Sequence, residues 1–373
     1  MKEYDLAIIG GGPAGLAAAL SAASCSPELS ILLVDDGLQL GGQLIKQTHK
    51  FFGSASQFAG VRGIDIARNL ITELSQFPHI EVLIQSTVTG YYEDGIITIL
   101  EGYHGKRWLK VKPRRIIVAT GAAENMLPFL NNDLPGVYGA GAVQTLLNVY
   151  GVIPGQEVLM VGAGNIGLIV SYQLLQAAIQ VEAIVEALPH IGGYWVHASK
   201  IRRMGVPIYT SSTLKEVRGK EQVESVTIAK LDQNFNFIPD SEKELKVDTV
   251  CLAVGLSPLS ELLWQAGCQM AYIPELGGYV ALRDENLKTS LDQIYLAGDV
   301  AGIEEASSAL LEGQLAGLNA AASLGLSHPH YQELKANYQQ QLFQLRNNPA
   351  SEKIRTGLKK ATLTRGGRDV PIH

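Results

Sequence analysis

Short apolar runs that each end at a glycine or an acidic residue set the pattern of the chain. Residues 4–9 are the first such run, residues 30–34 are the next, and a stretch rich in small residues, 16–23, lies between them. Continuous apolar runs of this length are typical of buried parallel strands, and the stretch between them suits a crossover helix. The pattern therefore predicts a β–α–β unit at the start of the chain.

A second unit of the same plan begins in the middle of the chain. Residues 157–161 predict a buried strand, a helix follows, and residues 181–185 predict the returning strand. The two units share an arrangement rather than a closely similar sequence. Two tandem copies of one plan predict two nucleotide-binding domains.

Alternating β-prone stretches interrupt each domain. Residues 80–112 and residues 206–250 both predict an antiparallel meander. Later segments predict a buried strand over 293–297, a helix over 307–324 and amphipathic helices over 331–361. The expected fold class is α/β, with two Rossmann-like dinucleotide-binding domains of the three-layer ββα type, each with an inserted antiparallel β meander.

Composition and charge narrow the functional classes. The 373 residues suffice for two domains, and 46% hydrophobic with 18% charged residues indicate a folded globular chain. The net charge of -6 includes no basic stripe, so we expect no nucleic-acid partner. Residues 353–368 are locally basic, which indicates a solvated helix and tail or, alternatively, a docking surface for a partner subunit.

The three cysteines, Cys25, Cys251 and Cys268, have neither CxxC spacing nor a neighbouring histidine cluster. We therefore expect no redox dithiol, no disulfide framework and no metal site. The sequence contains neither a signal-peptide pattern nor an apolar run of membrane-spanning length. A reducing, cytoplasmic location without a membrane span is the resulting expectation.

The glycine motif after the first strand predicts a dinucleotide-binding loop. Gly10 allows a tight turn, Gly12 lets the backbone approach a diphosphate, and Gly15 allows the helix to pack closely on the strand. Pro13 and Ala14 open that helix, whose free N–H groups and positive dipole end would meet the diphosphate.

The glycine motif of the second unit repeats this logic. Gly162, Gly164 and Gly167 have the same spacing, and Asn165 and Ile166 open the helix that follows. The prediction is a second dinucleotide site. The alternative is a domain that has kept its fold but lost its nucleotide.

An acidic residue ends the second strand of each unit. Asp35 is the expected ribose ligand of the first unit, with the adjacent Asp36 as the alternative. Glu186 takes this position in the second unit and favours a free 2′-hydroxyl, so we expect NADH to be preferred over NADPH. Arg202 and Arg203 lie further along and weaken that preference slightly.

Residues 289–299, which end in Gly298 and Asp299, resemble the second FAD signature of the flavoproteins with two dinucleotide-binding domains. The resemblance implies that Asp299 bonds the ribityl chain of FAD. It also implies that the following helix directs its positive N-terminus at the flavin. A loop aspartate that only caps a helix is the alternative.

Two strand ends resemble the crossover signatures of the same family, where the chain passes between domains. They are residues 119–121 and residues 253–255, and Gly255 ends the second of them. The expected FAD contacts in the crossover and the first meander are Val88, Ala119, Thr120 and Gly121.

The resemblance covers residues 4–325 and implies a domain plan. An FAD-binding domain is expected to be discontinuous, over 1–122 and 280–330. The NAD(P)-binding domain is expected over 123–279, and a C-terminal helical tail over 331–373.

The overall spacing resembles thioredoxin reductase and its relatives in the pyridine nucleotide–disulfide oxidoreductase superfamily, and residues 41–44, Gly-Gly-Gln-Leu, strengthen the likeness. Those reductases carry a CxxC before the second glycine motif, whereas residues 134–142 contain no cysteine here, which excludes reduction through an internal dithiol.

A nearer likeness is to the FAD- and NAD-binding α subunits of heteromeric sarcosine oxidase, opine oxidase, proline dehydrogenase and hydrogen cyanide synthase. It implies that the partner is a second flavoprotein subunit or another copy of this chain in a homo-oligomer, or both.

Residues 41–53 are expected to run near the isoalloxazine ring. Gly42 and Gln43 are candidate cofactor contacts, and Gln43 is also a candidate hydrogen-bond partner of the flavin. Lys46 and His49 are candidates for tuning the flavin or donating a proton. Their alternative is a pair of polar residues on a solvent-facing loop.

Two other pairs of side chains have plainer expectations. Phe51 and Phe52 are expected in the core rather than at a substrate platform. His190 and His197 are expected on the surface near a nucleotide.

Three functional hypotheses follow. The first is an FAD-dependent oxidoreductase that passes electrons between NAD(H) and FAD as a subunit of a multicomponent dehydrogenase of small amines, amino acids or glycerol phosphate. The second is a stand-alone NADH oxidase or diaphorase. The third is a non-catalytic, FAD-bound assembly subunit.

Overall fold

The computed structural model describes residues 1–51, 54–102, 105 and 107–363. The chain forms two compact units: the first comprises residues 1–123 and 257–373, and the second comprises residues 124–256. No described helix has the length and apolar character needed to cross a membrane.

The strands in chain order are β1 (Lys2–Ile9), β2 (Ile31–Val34), β3 (Ile80–Leu83), β4 (Ser86–Tyr91), β5 (Ile97–Glu101), β6 (Arg107–Val118), β7 (Ala122–Glu124), β8 (Val137–Gly139), β9 (Glu157–Val161), β10 (Gln180–Val185), β11 (Ile208–Tyr209), β12 (Ser212–Arg218), β13 (Ser225–Lys230), β14 (Lys243–Lys246), β15 (Thr249–Leu252), β16 (Leu256–Pro258), β17 (Met270–Ile273), β18 (Gly278–Ala281) and β19 (Ile294–Leu296). The α-helices are α1 (Pro13–Ala23), α2 (Gly63–Leu74), α3 (Ala140–Asn148), α4 (Asn165–Gln176), α5 (Trp195–Arg203), α6 (Glu261–Gln265), α7 (Ala306–Ser323), α8 (Tyr331–Arg346) and α9 (Glu352–Lys360).

The sheet of the first unit has the order β3-β2-β1-β6-β5-β4, with β19 also beside β6. Strand β6 pairs antiparallel along its first half and parallel along its second half. Its first half pairs antiparallel with β5, where Val111 faces Ile97. Its second half pairs parallel with β1 and with β19, where Val118 faces Leu296. One strand therefore joins the meander to the parallel core.

The predicted meander of residues 80–112 begins too early. Strand β3 pairs parallel with β2, where Ile31 faces Ile80, so it is the edge of the parallel sheet. The antiparallel part consists of β4, β5 and the first half of β6. An edge strand has one covered face and one exposed face, and its sequence therefore alternates like a meander strand.

Side chains of the first sheet alternate between two buried layers. Leu6 and Ile8 of β1 pack with helices α1, α2 and α7 on one face. Ala7 and Ile9 pack with Tyr91 and other apolar residues of the β4–β5 hairpin on the opposite face. This is the expected three-layer ββα arrangement.

The second unit has a five-stranded parallel sheet of order β11-β10-β9-β15-β8, together with an antiparallel sheet of order β12-β13-β14. The meander predicted over 206–250 is therefore too long. Its first part, β11, pairs parallel with β10, and its last part, β15, pairs parallel with β9. Helix α3 and strand β8 had no counterpart in the sequence prediction.

The compact units differ from the predicted domain boundaries at residues 257–279. These residues were assigned to the middle domain, but Leu263 and Cys268 are buried in one core with Tyr4 and Ile9 of the first unit. The C-terminal helices also belong to the first unit, because Leu342 of α8 is buried in the core formed by α1 and α7. Strands β7 and β16 pair with each other where the chain leaves and re-enters that unit.

Candidate functional site

The glycine loop of the first unit lies directly on the end of β6. Gly10 has φ +105°, and a Cβ atom there would overlap the carbonyl oxygen of Ala119. A Cβ at Gly15 would overlap the carbonyl oxygen of Gly10. Only glycine fits at both positions, which explains why the loop needs them for its own packing.

Gly12 differs from its neighbours because the protein's own packing does not require a glycine there. Its φ of -75° suits any residue, and a Cβ atom would find nothing nearer than the Cα atom of Gly42 at 3.8 Å. Gly12 is the N-cap of α1, and Pro13 is the first helical residue. The N–H groups of Ala14 and Gly15 in this first turn lack intrahelical partners, so the space beside Gly12 fits a diphosphate.

Asp35 is bound to the same loop by two backbone N–H groups. Its Oδ2 accepts from Gly11 N at 2.6 Å, and its Oδ1 accepts from Gly37 N at 2.8 Å. Burial raises the pKa of this carboxyl, and the two hydrogen bonds oppose that rise. Asp36 is exposed. The structure therefore places Asp35, the first choice from the sequence, against the glycine loop.

The start of β4 lies beside this acid. Ser86 N donates to the carbonyl oxygen of Asp35 at 2.9 Å, and Gln85 N donates to that of Gly37 at 2.9 Å. Val88 follows two residues later and is half-buried against the meander face of the sheet.

The segment after the acid folds back onto the glycine loop. Gly41 N donates to the carbonyl oxygen of Gly11 at 2.8 Å, and a Cβ at Gly42 would lie 2.7 Å from the Cα atom of Gly12. A 3-10 helix, Gly42–Lys46, begins at this contact. Gln43 directly follows Gly42, so its exposed side chain lies next to the glycine loop.

Lys46 and His49, the two proposed proton donors, are half-buried further along this segment. The ring of His49 stacks on that of Phe51, with centroids 5.9 Å apart. Phe51 is 9% exposed and belongs to the core, as expected. Phe52 and Gly53, the end of the predicted flavin segment, lie outside the described residues.

The second signature, Gly298–Asp299, reaches the same loop from the far end of the chain. Gly298 has φ +78°, and a Cβ there would lie 2.8 Å from the Cβ of Ala14. Burial raises the pKa of Asp299 to about 6, and the nearby carboxylates of Glu304 and Glu312 contribute to that rise. The two signatures that the sequence predicted to act on one ligand thus meet at the N-terminus of α1.

The crossover residues lie at the adjoining strand end. Ala119 is buried under the loop, and the hydroxyl of Thr120 donates to the carbonyl oxygen of Leu259 at 2.7 Å. Gly121 has φ +75°, and a Cβ there would contact nothing within 4 Å.

Helix α7 closes over α1 through residues that the sequence reasoning missed. Cβ atoms at Gly313 and Gly317 would overlap the carbonyl oxygens of Ala14 and Ala18. Their spacing of four residues on one helix face was a readable signal of close helix packing. Glu312, also missed, accepts from Gly298 N at 2.9 Å.

The loop of the second unit repeats the first in detail. A Cβ at Gly162 would overlap the carbonyl oxygen of Ala253, and one at Gly167 would overlap that of Gly162. A Cβ at Gly164 would meet nothing within 4 Å, so this N-cap position of α4 also faces open space. Asn165 is the next residue, and its Oδ1 accepts from Tyr194 N at 2.9 Å.

Glu186 is bound like Asp35. Its Oε2 accepts from Ala163 N at 2.8 Å, and its Oε1 accepts from Leu188 N at 3.0 Å. Gly193 N donates to the carbonyl oxygen of Ala163 at 2.9 Å, which matches the contact of Gly41 with Gly11.

The remaining predicted residues of this unit differ in their surroundings. Arg202 and Arg203 are exposed in the last turn of α5, and that helix runs from the carboxyl edge of the sheet toward the opposite edge. His197 was expected on the surface but is 7% exposed, and burial lowers its pKa. Gly255 has φ +107° and its carbonyl oxygen accepts from Asn125 N at 3.0 Å.

Two other chemistries have no site among the residues that the structure describes. No group of three metal-ligating side chains occurs there. Cys251 and Cys268 are buried, Cys25 is half-buried, and burial raises the pKa of each thiol. These cysteines therefore lack the properties of reactive thiolates.

Comparison with known proteins agrees with this geometry. The model of a family described as "Pyridine nucleotide-disulphide oxidoreductase" matches residues 4–313. An opine oxidase subunit of Rhizobium meliloti (strain 1021) is 29% identical over 349 residues, which cover 87% of this chain and 72% of the relative. The alpha subunit of sarcosine oxidase from the same strain is 27% identical over 336 residues, which cover 87% of this chain and 31% of the relative. The chain thus spans under a third of the sarcosine oxidase subunit.

Solved structures support the fold. The L-proline dehydrogenase of P. horikoshii has a TM-score of 0.68 at 24% identity, with 92% of this chain and 59% of that chain covered. The thioredoxin reductase of T. acidophilum has a TM-score of 0.69 at 20% identity, with 86% of this chain and 99% of that chain covered. At these identities the likeness concerns the architecture alone.

Proposed function

Because this chain belongs to the pyridine nucleotide-disulphide oxidoreductase family, whose members are FAD- and NAD(P)-dependent oxidoreductases, we propose that it passes electrons between NAD(H) and a bound FAD. The observation that carries the proposal is the repeated loop geometry. In each unit a glycine faces open space at a helix N-terminus, and an acid is bound to the same loop.

The first unit would hold the FAD. The diphosphate would lie beside Gly12, and Asp35 would accept from the ribose of the adenosine half. Asp299 would bind the ribityl chain at the point where Gly298 meets α1. FAD would supply the two-electron chemistry, and the protein would supply orientation and charge. The remaining proposed contacts are Gly10, Pro13, Ala14, Gly15, Asp36, Gly42, Gln43, Val88, Ala119, Thr120 and Gly121.

The second unit would hold the nicotinamide nucleotide, with NADH preferred over NADPH. Glu186 presents a carboxylate where the 2′ position of the ribose would lie, and a 2′-phosphate would be repelled there. The arginines of α5, Arg202 and Arg203, lie in its last turn, away from the carboxyl edge of the sheet. The remaining proposed contacts are Gly162, Gly164, Asn165, Ile166, Gly167 and Gly255.

Electrons would leave through the flavin itself. The sequence has no CxxC that could carry them onward. Both curated relatives are named as subunits, which supports a partner, for which we propose a second flavoprotein subunit. That partner would oxidise a small amine, amino acid or glycerol phosphate. Within this chain, Gln43, Lys46 and His49 are the proposed residues that adjust the flavin or donate a proton.

Anaerobic rapid mixing tests the proposal. The purified chain loaded with FAD is mixed with NADH or with NADPH while the oxidised flavin absorbance is followed. We expect NADH to bleach that absorbance faster than NADPH does at equal concentration. Binding of NADH without any bleaching would overturn the electron-transfer role and would support the non-catalytic subunit instead.

Steady-state turnover separates the partner-dependent role from an independent one. If the isolated chain oxidised NADH continuously with a soluble quinone or dye, it would be an NADH oxidase or diaphorase in its own right. We expect slow turnover of the isolated chain and faster turnover when the co-purifying subunit is restored.

A further inference from the structure

A buried ion-pair cluster joins the C-terminal helix α8 to the second FAD signature. Arg346 Nη2 lies 2.6 Å from Glu304 Oε1 and 2.5 Å from Glu312 Oε1, and Arg346 Nε donates to Glu304 Oε2 at 3.0 Å. The three side chains are 17%, 7% and 4% exposed, in the order Arg346, Glu304 and Glu312. Removal of one member of such a cluster is destabilising, because it leaves a buried charge without its partner.

Both carboxylates of the cluster belong to residues that also bind the signature. Glu312 accepts from Gly298 N at 2.9 Å. The backbone N–H of Glu304 donates to Asp299 Oδ1 at 3.4 Å. Glu304 lies in the loop after the signature, and Glu312 lies in α7. The guanidinium of Arg346 therefore connects the loop to the helix on which the loop rests.

The charges of the cluster also balance one another in the buried interior. The attraction of Glu312 and Glu304 outweighs desolvation and raises the pKa of Arg346 above its ordinary value. A second guanidinium, Arg283, is buried within electrostatic range of both carboxylates. Without Arg346, Glu304 and Glu312 would be two buried carboxylates beside Asp299. Among the described residues, Arg283 would be the one buried cation that neighbours both of them.

We propose that Arg346 is a positioning residue for the flavin site: it holds the Gly298–Asp299 loop in place through Glu304 and Glu312. The inference rests on the proposed binding of FAD to the first unit. It makes α8 a part of the flavin site, although the sequence predicted this segment as a separate tail. Arg355 of α9 donates to the backbone carbonyl oxygen of Arg346 at 2.6 Å and so extends the connection to the last helix.

The test uses the full chain with three substitutions. Arg346→Met removes the charge and the hydrogen bonds, whereas Arg346→Lys keeps the charge but loses the bidentate geometry. Glu312→Gln keeps an acceptor for Gly298 N but removes one negative charge. Arg68→Met is the matched control, because it removes an arginine of the same unit whose partner Asp65 is exposed.

Three readouts are compared: amide hydrogen exchange at Gly298 in the flavin-free chain, FAD affinity, and the midpoint potential of the bound flavin. We expect Arg346→Met to speed exchange at Gly298 and to weaken FAD binding by about tenfold or more, the factor typical of a lost charged hydrogen bond. It should also lower the potential, since uncompensated carboxylates disfavour added electrons, while Glu312→Gln should raise it. Arg346→Lys should restore part of each property.

The outcomes separate this inference from the proposed function. Unchanged exchange at Gly298 in Arg346→Met, or an equal effect of Arg68→Met, would overturn the positioning role. A wild-type chain that binds no FAD would overturn the proposed function, and the exchange measurement would still decide whether Arg346 holds the loop. If Arg346→Met does not fold, the comparison of Arg346→Lys with the wild type decides the question.

Discussion

The two glycine loops have the same backbone contacts but different surroundings. In both, the first glycine rests on the carbonyl oxygen of an alanine, Ala119 or Ala253, and an acid accepts two backbone N–H groups. In the first unit, α7 and the Gly298–Asp299 loop cover the helix that follows, and Ala14 is 5% exposed. In the second, Ile166 at the corresponding position is 41% exposed.

This difference suits two kinds of ligand. At the first loop a bound dinucleotide would also contact the Gly298–Asp299 loop, which lies against Ala14, and these added contacts would slow its release. An exposed loop allows rapid exchange. We therefore expect the first unit to retain FAD as a resident cofactor and the second to exchange NAD(H) as a substrate.

The covering helix gives the largest expected effect. Gly313→Val should lower the free energy of unfolding by about 3 kcal/mol, because its side chain would force α7 away from the backbone of Ala14. Chemical denaturation measures this change. Ala322→Val introduces the same side chain at a half-buried position of α7 and should have little effect. Equal stability of Gly313→Val and the wild type would show that α7 does not pack this closely.

The open glycines should separate the two ligands. Gly12→Ala and Gly164→Ala both fit without a clash, so neither should change the unfolding free energy by more than about 0.5 kcal/mol. Each methyl group would nevertheless occupy the space that we propose for a diphosphate. We expect Gly12→Ala to weaken FAD binding by at least about tenfold and to spare NADH, and Gly164→Ala to do the opposite. Titration calorimetry with each ligand measures both affinities. If Gly12→Ala weakened NADH binding, or Gly164→Ala weakened FAD binding, the proposed assignment of FAD to the first loop and NADH to the second would be contradicted.

The acid of the second loop should set the choice of nucleotide. Glu186→Ala removes the proposed ribose acceptor and the repulsion of a 2′-phosphate, so the ratio of NADH to NADPH affinity should fall by about tenfold. Fluorescence titration with both nucleotides measures the ratio. Glu182→Ala, on the same strand, is the control. An unchanged ratio in Glu186→Ala would remove this residue from the nucleotide site.

The dependence of stability on pH distinguishes the first loop from the second. The carboxyl of Asp299 has a pKa raised from 3.8 to about 6 in the folded chain, so between these values the folded state binds more protons than the unfolded state. Stability of the flavin-free chain should therefore fall as the pH rises from about 4 to about 6, by at most about 1.4 kcal/mol per pH unit from this group.

Denaturation at a series of pH values, repeated with Asp299→Asn, isolates this contribution. The substitution should flatten the slope, because asparagine does not titrate. A slope that Asp299→Asn leaves unaltered would assign the pH dependence to other carboxyls.

Local spacing explains what could be predicted from the sequence. The positions of Gly10, Gly15 and Asp35 follow from short-range geometry, since a tight turn, a close helix and a strand end each impose a residue type. The family resemblance added the connection to Asp299, because residues so far apart cannot be related by spacing. The fold class was confirmed for the same reasons.

Tertiary packing explains what could not be predicted. Glu304, Glu312 and Arg346 lie on a loop and two helices, and no sequence interval indicates that their charges meet. Residues 257–279 were predicted in the middle domain but pack in the first compact unit, since their apolar residues are compatible with either core. Strand β3 was placed in the meander since an edge strand and a meander strand alternate alike.

The interrupted course of the first unit has a consequence for how the protein is made. Strand β19 pairs with β6 only after the whole second unit, residues 124–256, has been synthesised between them. The second unit is continuous and can fold as it leaves the ribosome. The first unit cannot complete its sheet until β19 is available, and until then one side of β6 stays uncovered next to β1 and β2. Under the proposed function, FAD binding requires residue 299, so a nascent chain stalled before that residue should already bind NADH but no FAD.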